Sequence, residues 1–161
     1  MNVELAIDKL EIKIEKAKGC EDLPLPVSAS EFSSGVDLLS AETSEIILKP
    51  GQIKIISTGI KIMIPEGFEG QIRPRSGLAL KYGITVLNTP GTIDSDYRGI
   101  VKVILVNLGE KDFIIQRGDR IAQLVIQKVF FPDFKLVKTL NNTKRGEGGF
   151  GHSGIKTQNS R

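Results

Sequence analysis

Residues 88–99, Asn88-Thr89-Pro90-Gly91-Thr92-Ile93-Asp94-Ser95-Asp96-Tyr97-Arg98-Gly99, concentrate more reactive chemistry than any other part of the chain. An amide, two carboxylates, a phenol and a guanidinium stand together beside two turn formers. Pro90-Gly91 suits the centre of a type II turn, because Pro presets φ and Gly accepts a positive one. That content exceeds what a connection needs. The alternative is a solvated loop in which Asp94 and Asp96 bond their own backbone and Arg98 pairs with a carboxylate. Taken alone, the segment supports both readings, since loops carry both.

Other segments carry complementary groups. Arg73-Pro74-Arg75-Ser76-Gly77-Leu78-Ala79 sets two guanidinium groups, a hydroxyl and a glycine ahead of a short helix. Free N–H groups at a helix start favour anions, and the arginine fork matches phosphate. The competing reading is a Ser76 N-cap with solvated arginines. Ser34-Gly35-Val36-Asp37-Leu38 offers one carboxylate after a glycine. Arg117-Gly118-Asp119-Arg120-Ile121-Ala122-Gln123 places a turn before a strand, with Gln123 able to donate to an oxygen. On its own it reads as a turn held by an Asp119–Arg pair. Gly146-Glu147-Gly148-Gly149-Phe150-Gly151 matches G-x-G-x-x-G, but no helix follows it, so a dinucleotide fingerprint is rejected. No Cys/His spacing suits zinc, and Cys20 reads as a small inert side chain.

The elements that must position these groups are short strands. Residues 10–16 alternate strictly, as a half-buried strand does. Further strand candidates span 45–48, 53–56, 59–64, 70–73, 84–87, 100–106, 112–115, 121–129 and 135–140. The runs 84–87 and 100–106 flank residues 88–99, which makes that segment the tip of an irregular β-hairpin. Pro50-Gly51, Pro65-Glu66-Gly67 and Leu108-Gly109-Glu110 supply turns. Asp22-Leu23-Pro24-Leu25-Pro26 reads as an extended connector, and residues 77–82 as one short helix. Many short strands with frequent turns predict an all-β sandwich or barrel. Residues 1–140 are expected to form that domain, and 141–161 a mobile glycine-rich tail with too little apolar surface to order itself.

Composition narrows the class. A chain of 161 residues with 40% apolar and 25% charged residues is ordinary for one globular domain. The net charge of +3 is spread along the chain, which disfavours a nucleic-acid stripe and suits a small anionic ligand. One cysteine rules out an internal disulfide and fits a reducing compartment. No apolar run reaches membrane-spanning length and no signal core follows Met1, so a cytoplasmic location is expected, with neither membrane nor nucleic-acid partner.

Taken in order, five of these segments resemble the motifs of the trimeric dUTP diphosphatases, the dUTPases. They are Ser34-Gly35-Val36-Asp37-Leu38, Arg75-Ser76-Gly77-Leu78-Ala79, residues 88–99, Gly118-Asp119-Arg120-Ile121-Ala122-Gln123 and Arg145-Gly146-Glu147-Gly148-Gly149-Phe150-Gly151. The resemblance covers roughly residues 23–154.

It implies hydrolysis of dUTP to dUMP and diphosphate by attack of water on the α-phosphorus, lowering dUTP and supplying dUMP for thymidylate synthesis. Phosphoryl transfer asks mainly for positioning and charge neutralisation. The resemblance makes Asp94 the base that orients and deprotonates the water; a reference pKa of ~3.9 keeps it ionised at neutral pH. Mg²⁺ would bridge the triphosphate oxygens, with Asp37 holding it indirectly through waters. Arg75, Ser76, Gly77 and Gln123 would hold phosphates. Asn88, with backbone groups near Thr92, Ile93 and Lys102, would read the uracil. Tyr97 would stand where a ribose 2′-hydroxyl would clash. Arg145 would reach the γ-phosphate and Phe150 would stack on the uracil as the tail closes.

The resemblance further implies a jelly-roll-like β-barrel assembled as a homotrimer with shared active sites. One departure stands out: the family's tail usually continues Gly-Phe-Gly with Ser-Thr-Gly, whereas this chain has His152-Ser153-Gly154. The change reads as a tolerated one in a solvated tail. Two rivals share parts of the pattern. A deoxycytidine triphosphate deaminase would need another catalytic constellation in place of Asp94 and Asn88, and a non-enzymatic dUTP-binding relative would have lost Asp94 or the tail.

Overall fold

The computed structural model describes residues 9–150. They fall into two units, one ending at Phe130 and one beginning at Phe131.

The first unit is built from strands β1 (Lys13–Lys16), β2 (Gly35–Leu39), β3 (Ile46–Leu48), β4 (Ile53–Ser57), β5 (Ile60–Met63) and β6 (Phe68–Arg73). Helix α1 (Ser76–Tyr82) follows, then β7 (Ile84–Val86), β8 (Gly91–Ile93), β9 (Lys102–Asn107), β10 (Phe113–Ile115) and β11 (Arg120–Lys128). They form a four-stranded sheet in the order β2-β11-β6-β8, a three-stranded sheet β4-β9-β7, and two pairs, β1-β5 and β10-β3. Every recorded strand pairing is antiparallel. This is the jelly-roll-like β architecture that the resemblance implies.

Alternation decides which side chains make the core. On β5, Ile60 and Ile62 are buried while Lys61 and Met63 face outward. On β9, Val103 and Leu105 are fully buried and Lys102 is exposed. Leu38, Leu48, Ile56, Ile84, Ile115 and Ile121 complete the centre of this cluster. A polar residue lies fully inside it: Asn107 donates from Nδ2 to Leu48 O and Lys111 O and accepts from Gly109 N, each at 2.8 Å. With its hydrogen-bonding capacity used, the amide locks the loop after β9 without an unpaired polar atom. A smaller cluster joins Cys20, Leu23 and Ala41.

Several expectations are corrected. The first strand covers Lys13–Lys16 rather than 10–16, because its partner β5 offers a register only from Met63 to Ile60. Residues 135–140 form no strand; no described strand pairs with them, and Phe134, Leu136 and Leu140 are exposed. Gly91 is not at a positive φ and the Thr89–Pro90 peptide is cis, so the type II turn is not formed. Gly91 instead enters β8 opposite Ile72. Ser76 is not a cap: it is the first helical residue, Arg75 holds the N-cap position, and no side chain caps the helix. Asp119 holds its turn by accepting from Gln116 N at 2.8 Å, not by pairing with an arginine.

Candidate active site

The hairpin around residues 88–99 is confirmed and modified. Its outer arms pair as β7 and β9, from Ile84↔Asn107 to Val86↔Leu105. Between them the chain leaves the hairpin, and β8 joins the other sheet, with Gly70↔Ile93, Gln71↔Thr92 and Ile72↔Gly91. The displaced segment and the arms enclose a cavity of about 190 Å³ lined by Asn88, Thr92, Ile93, Asp94, Tyr97 and Lys102, with Ile72, Gly91, Val101 and Ile104 completing the wall. Space is tight at Gly91, since a Cβ on it would stand 3.1 Å from Asn88 Nδ2. The Asn88 amide therefore packs directly on the β8 backbone. Asp94 is exposed at the end of β8, and the Tyr97 hydroxyl donates to Ile100 O at 3.1 Å.

A larger cavity of about 520 Å³ lies where Ser95, Asp96 and Arg98 face Leu10, Glu11, Lys13 and Met63. It holds none of Asn88, Asp94 and Tyr97, so the smaller cavity is the candidate site.

The phosphate-directed residues gather elsewhere in the same chain. Asp37 on β2 is in register with Gln123 on β11, and Gln123 with Arg73 on β6. This row lies at the foot of α1. Arg75 Nε donates to Asp37 Oδ1 at 2.9 Å, and Arg75 Nη1 to Arg120 O at 3.2 Å. Arg120 Nη1 reaches Asp37 Oδ2 at 3.4 Å. Gln123 Nε2 donates to Pro74 O at 2.9 Å, which fixes the turn into the helix. Gly35 leaves room beneath it, because a Cβ there would lie 2.6 Å from Gln123 Oε1 and displace that side chain. The N–H groups of Ser76 and Gly77 open the helix and have no carbonyl partner within it. A Cβ on Gly77 would meet nothing within 4 Å, so its own chain does not demand glycine.

None of Asp37, Arg75, Ser76, Gly77 and Gln123 lines the 190 Å³ cavity. A single chain thus presents two separate groups of candidate residues: one lines a small cavity, and the other brings Arg75 and Arg120 together around Asp37. Sequence reasoning left out Arg120, which joins the second group.

In the second unit, Arg145 Nε donates to Gly148 O at 2.6 Å, and Gly146 N to Thr143 Oγ1 at 3.1 Å. Phe150 takes a φ of 41° with its ring exposed. Gly151, His152, Ser153 and Gly154 lie outside the described residues.

A family model described as dUTPase matches residues 21–154. The chain is 57% identical over 144 residues to the deoxyuridine 5'-triphosphate nucleotidohydrolase of Thermoanaerobacter sp., covering 89% of this chain and 97% of that one. The chain belongs to the dUTPase family. The dUTPase of Ehrlichia canis is 58% identical over 146 residues, covering 89% of this chain and 95% of the other. Among solved structures, a single-residue variant of the Staphylococcus bacteriophage 80alpha dUTPase with dUpNHpp aligns at a TM-score of 0.81 and 26% identity, covering 90% of this chain and 99% of that one. Hydrolysis of dUTP to dUMP is therefore the activity of this chain.

Proposed function

We propose that the 190 Å³ cavity binds the deoxyuridine end of dUTP and that Asp94 activates the attacking water. The observation that carries this reading is the convergence of Asn88, Thr92, Ile93, Asp94, Tyr97 and Lys102 on one small cavity. The Asn88 amide and nearby backbone groups read the uracil edge. Cytosine would leave buried donors and acceptors unpaired, which is costly. Tyr97 borders the sugar and excludes a 2′-hydroxyl. Asp94, exposed at the end of β8, takes the proton of a water aimed at the α-phosphorus.

Arg75, Ser76, Gly77 and Gln123 hold the phosphates. No group of three or more His, Cys, Asp or Glu side chains able to hold a metal occurs among the described residues. Asp37, one carboxylate beside the phosphate-directed Arg75, fits Mg²⁺, which keeps its waters and relies on substrate phosphates. Asp37 would hold it through water, using lone pairs left beside its contact with Arg120 at 3.4 Å. When bound, the cation neutralises charge on the triphosphate.

The separation of the two groups supports a homotrimer with shared sites, in which the basic group of one chain completes the cavity of another. Ile53 and Ile55 stand exposed on β4, a surface that a neighbouring copy would cover. Residues 141–161 act as a closing tail, bringing Arg145 to the γ-phosphate and Phe150 onto the uracil. No helix among the described residues is long and apolar enough to cross a membrane. The single free cysteine, Cys20, supports placement in the cytoplasm.

The test is diphosphate release with Mg²⁺ from dUTP, dCTP, dTTP and UTP, by the parent chain and by Asp94→Asn. Release from dUTP alone, lost in the variant while dUpNHpp still binds, is the expected result. Equal release by Asp94→Asn would remove Asp94 from the mechanism.

A further inference from the structure

We infer that Arg120 is a positioning residue for phosphate binding, acting through Asp37 to hold the Arg75 guanidinium ready. The inference rests on the proposed role of Arg75.

Strand β11 carries a register shift next to Arg120, where Arg120 lies opposite Leu39 and Ala122 opposite Leu38. Ile121 and Ala122 are consecutively buried. Without that irregularity, alternation back from Gln123 would turn Arg120 toward the core, beside Ala122 and Leu124. The shift turns it to the face shared by Gln123 and Asp37, which is the kind of re-aiming that bulges achieve.

On that face Arg120 contributes twice. Its guanidinium holds Asp37 Oδ2 while Asp37 Oδ1 accepts from Arg75 Nε at 2.9 Å. Its backbone carbonyl accepts from Arg75 Nη1. The Arg75 guanidinium is gripped on two nitrogens, while Nη2 has no partner among the described residues. Asp37 is half-buried, with 17% of its side chain exposed, whereas Arg120 is 58% exposed. A carboxylate between two guanidinium groups stays fixed, and so does the arginine it orients. A long flexible side chain would otherwise have to be immobilised each time substrate arrives.

The experiment measures dUpNHpp affinity by calorimetry, dUTP kinetics and melting temperature for Arg120→Gln, Arg120→Lys, Arg75→Ala and the double variant Arg75→Ala/Arg120→Gln. In the parent background, Arg120→Gln is expected to weaken dUpNHpp at least tenfold and lower kcat/KM to match, with deoxyuridine affinity unchanged. Arg120→Lys, which keeps a cation beside Asp37, restores most of the loss. In the Arg75→Ala background, Arg120→Gln costs no more than twofold. A loss of full size in that background, or no loss in the parent background, overturns the inference. If the parent chain releases no diphosphate from dUTP, the activity reading fails instead, and the coupling in dUpNHpp binding still decides the role of Arg120.

Discussion

Tyr97 lays its ring against Gly99 so closely that a Cβ on the glycine would overlap the phenol. The hydroxyl donates to Ile100 O at 3.1 Å, so the ring that lines the candidate cavity is held between this bond and Gly99. Gly99→Ala must push the ring outward or swing it into the cavity. With Tyr97 guarding the sugar, the variant loses discrimination between dUTP and UTP by about tenfold, equivalent to ~1.4 kcal/mol. The ratio of the two kcat/KM values checks this. An unchanged ratio would separate Tyr97 from sugar selection.

Asn107 predicts a stability effect. Leucine has nearly its shape, but Asn107→Leu strands two carbonyls and one N–H that the amide now satisfies. Only the bond to Leu48 O is fully buried, the other two being part-buried, so the variant should lose roughly 1–3 kcal/mol. Denaturant unfolding gives the number, and a loss below ~1 kcal/mol would mean water reaches those groups.

Acid should weaken a particular tie. Arg117 holds Asp22 through Nε at 3.0 Å and Nη2 at 2.7 Å, and also donates to Gly19 O. The hydrogen-bonded guanidinium keeps the Asp22 carboxyl below its ordinary value of 3.8. A depressed folded value means the stabilisation is complete above pH 3.8 and disappears as pH falls through the lower folded value. Asp22→Asn should therefore melt below the parent at pH 6, with the gap closing below pH 3.8. A gap that stays constant down to pH 2 would contradict this account.

For the tail, Phe150→Ala tests closure. Aromatic–base stacking is worth ~1–3 kcal/mol, which translates to a fall in kcat/KM of about 5–150-fold. The melting curve should not move. Retention of full kcat/KM would leave Phe150 without a role on the base.

Much of the candidate site was legible because its chemistry comes with punctuation. Asn88, Asp94 and Tyr97 sit in a polar interval between β-branched runs, and Arg75 stands before a helix. What was not legible depends on distant partners. Strand β2 contains a glycine and an aspartate and has poor strand propensity; pairing with β11 makes it a strand. Strand β8 has three residues and takes its form from β6. Residues 135–140 carry the apolar content of a strand, but local content cannot supply a ladder. Arg120 escaped because it was read into the turn ahead of a strand at 121–129, whereas it opens β11 beside a register shift that is not written in residue types.

The exchange of partners by β8 has a consequence for change over time. Thr92 and Ile93 are registered on Gln71 and Gly70, while β7 and β9 fix the two ends of the same excursion. Losing or gaining one residue between Val86 and Gly91 would invert β8, turning Ile93 outward and Thr92 inward. The length of this excursion is therefore constrained along with the side chains that line its cavity. Insertions that lineages accept should gather in the turns at Lys49–Gln52 and Pro65–Phe68, each closed by a local backbone hydrogen bond.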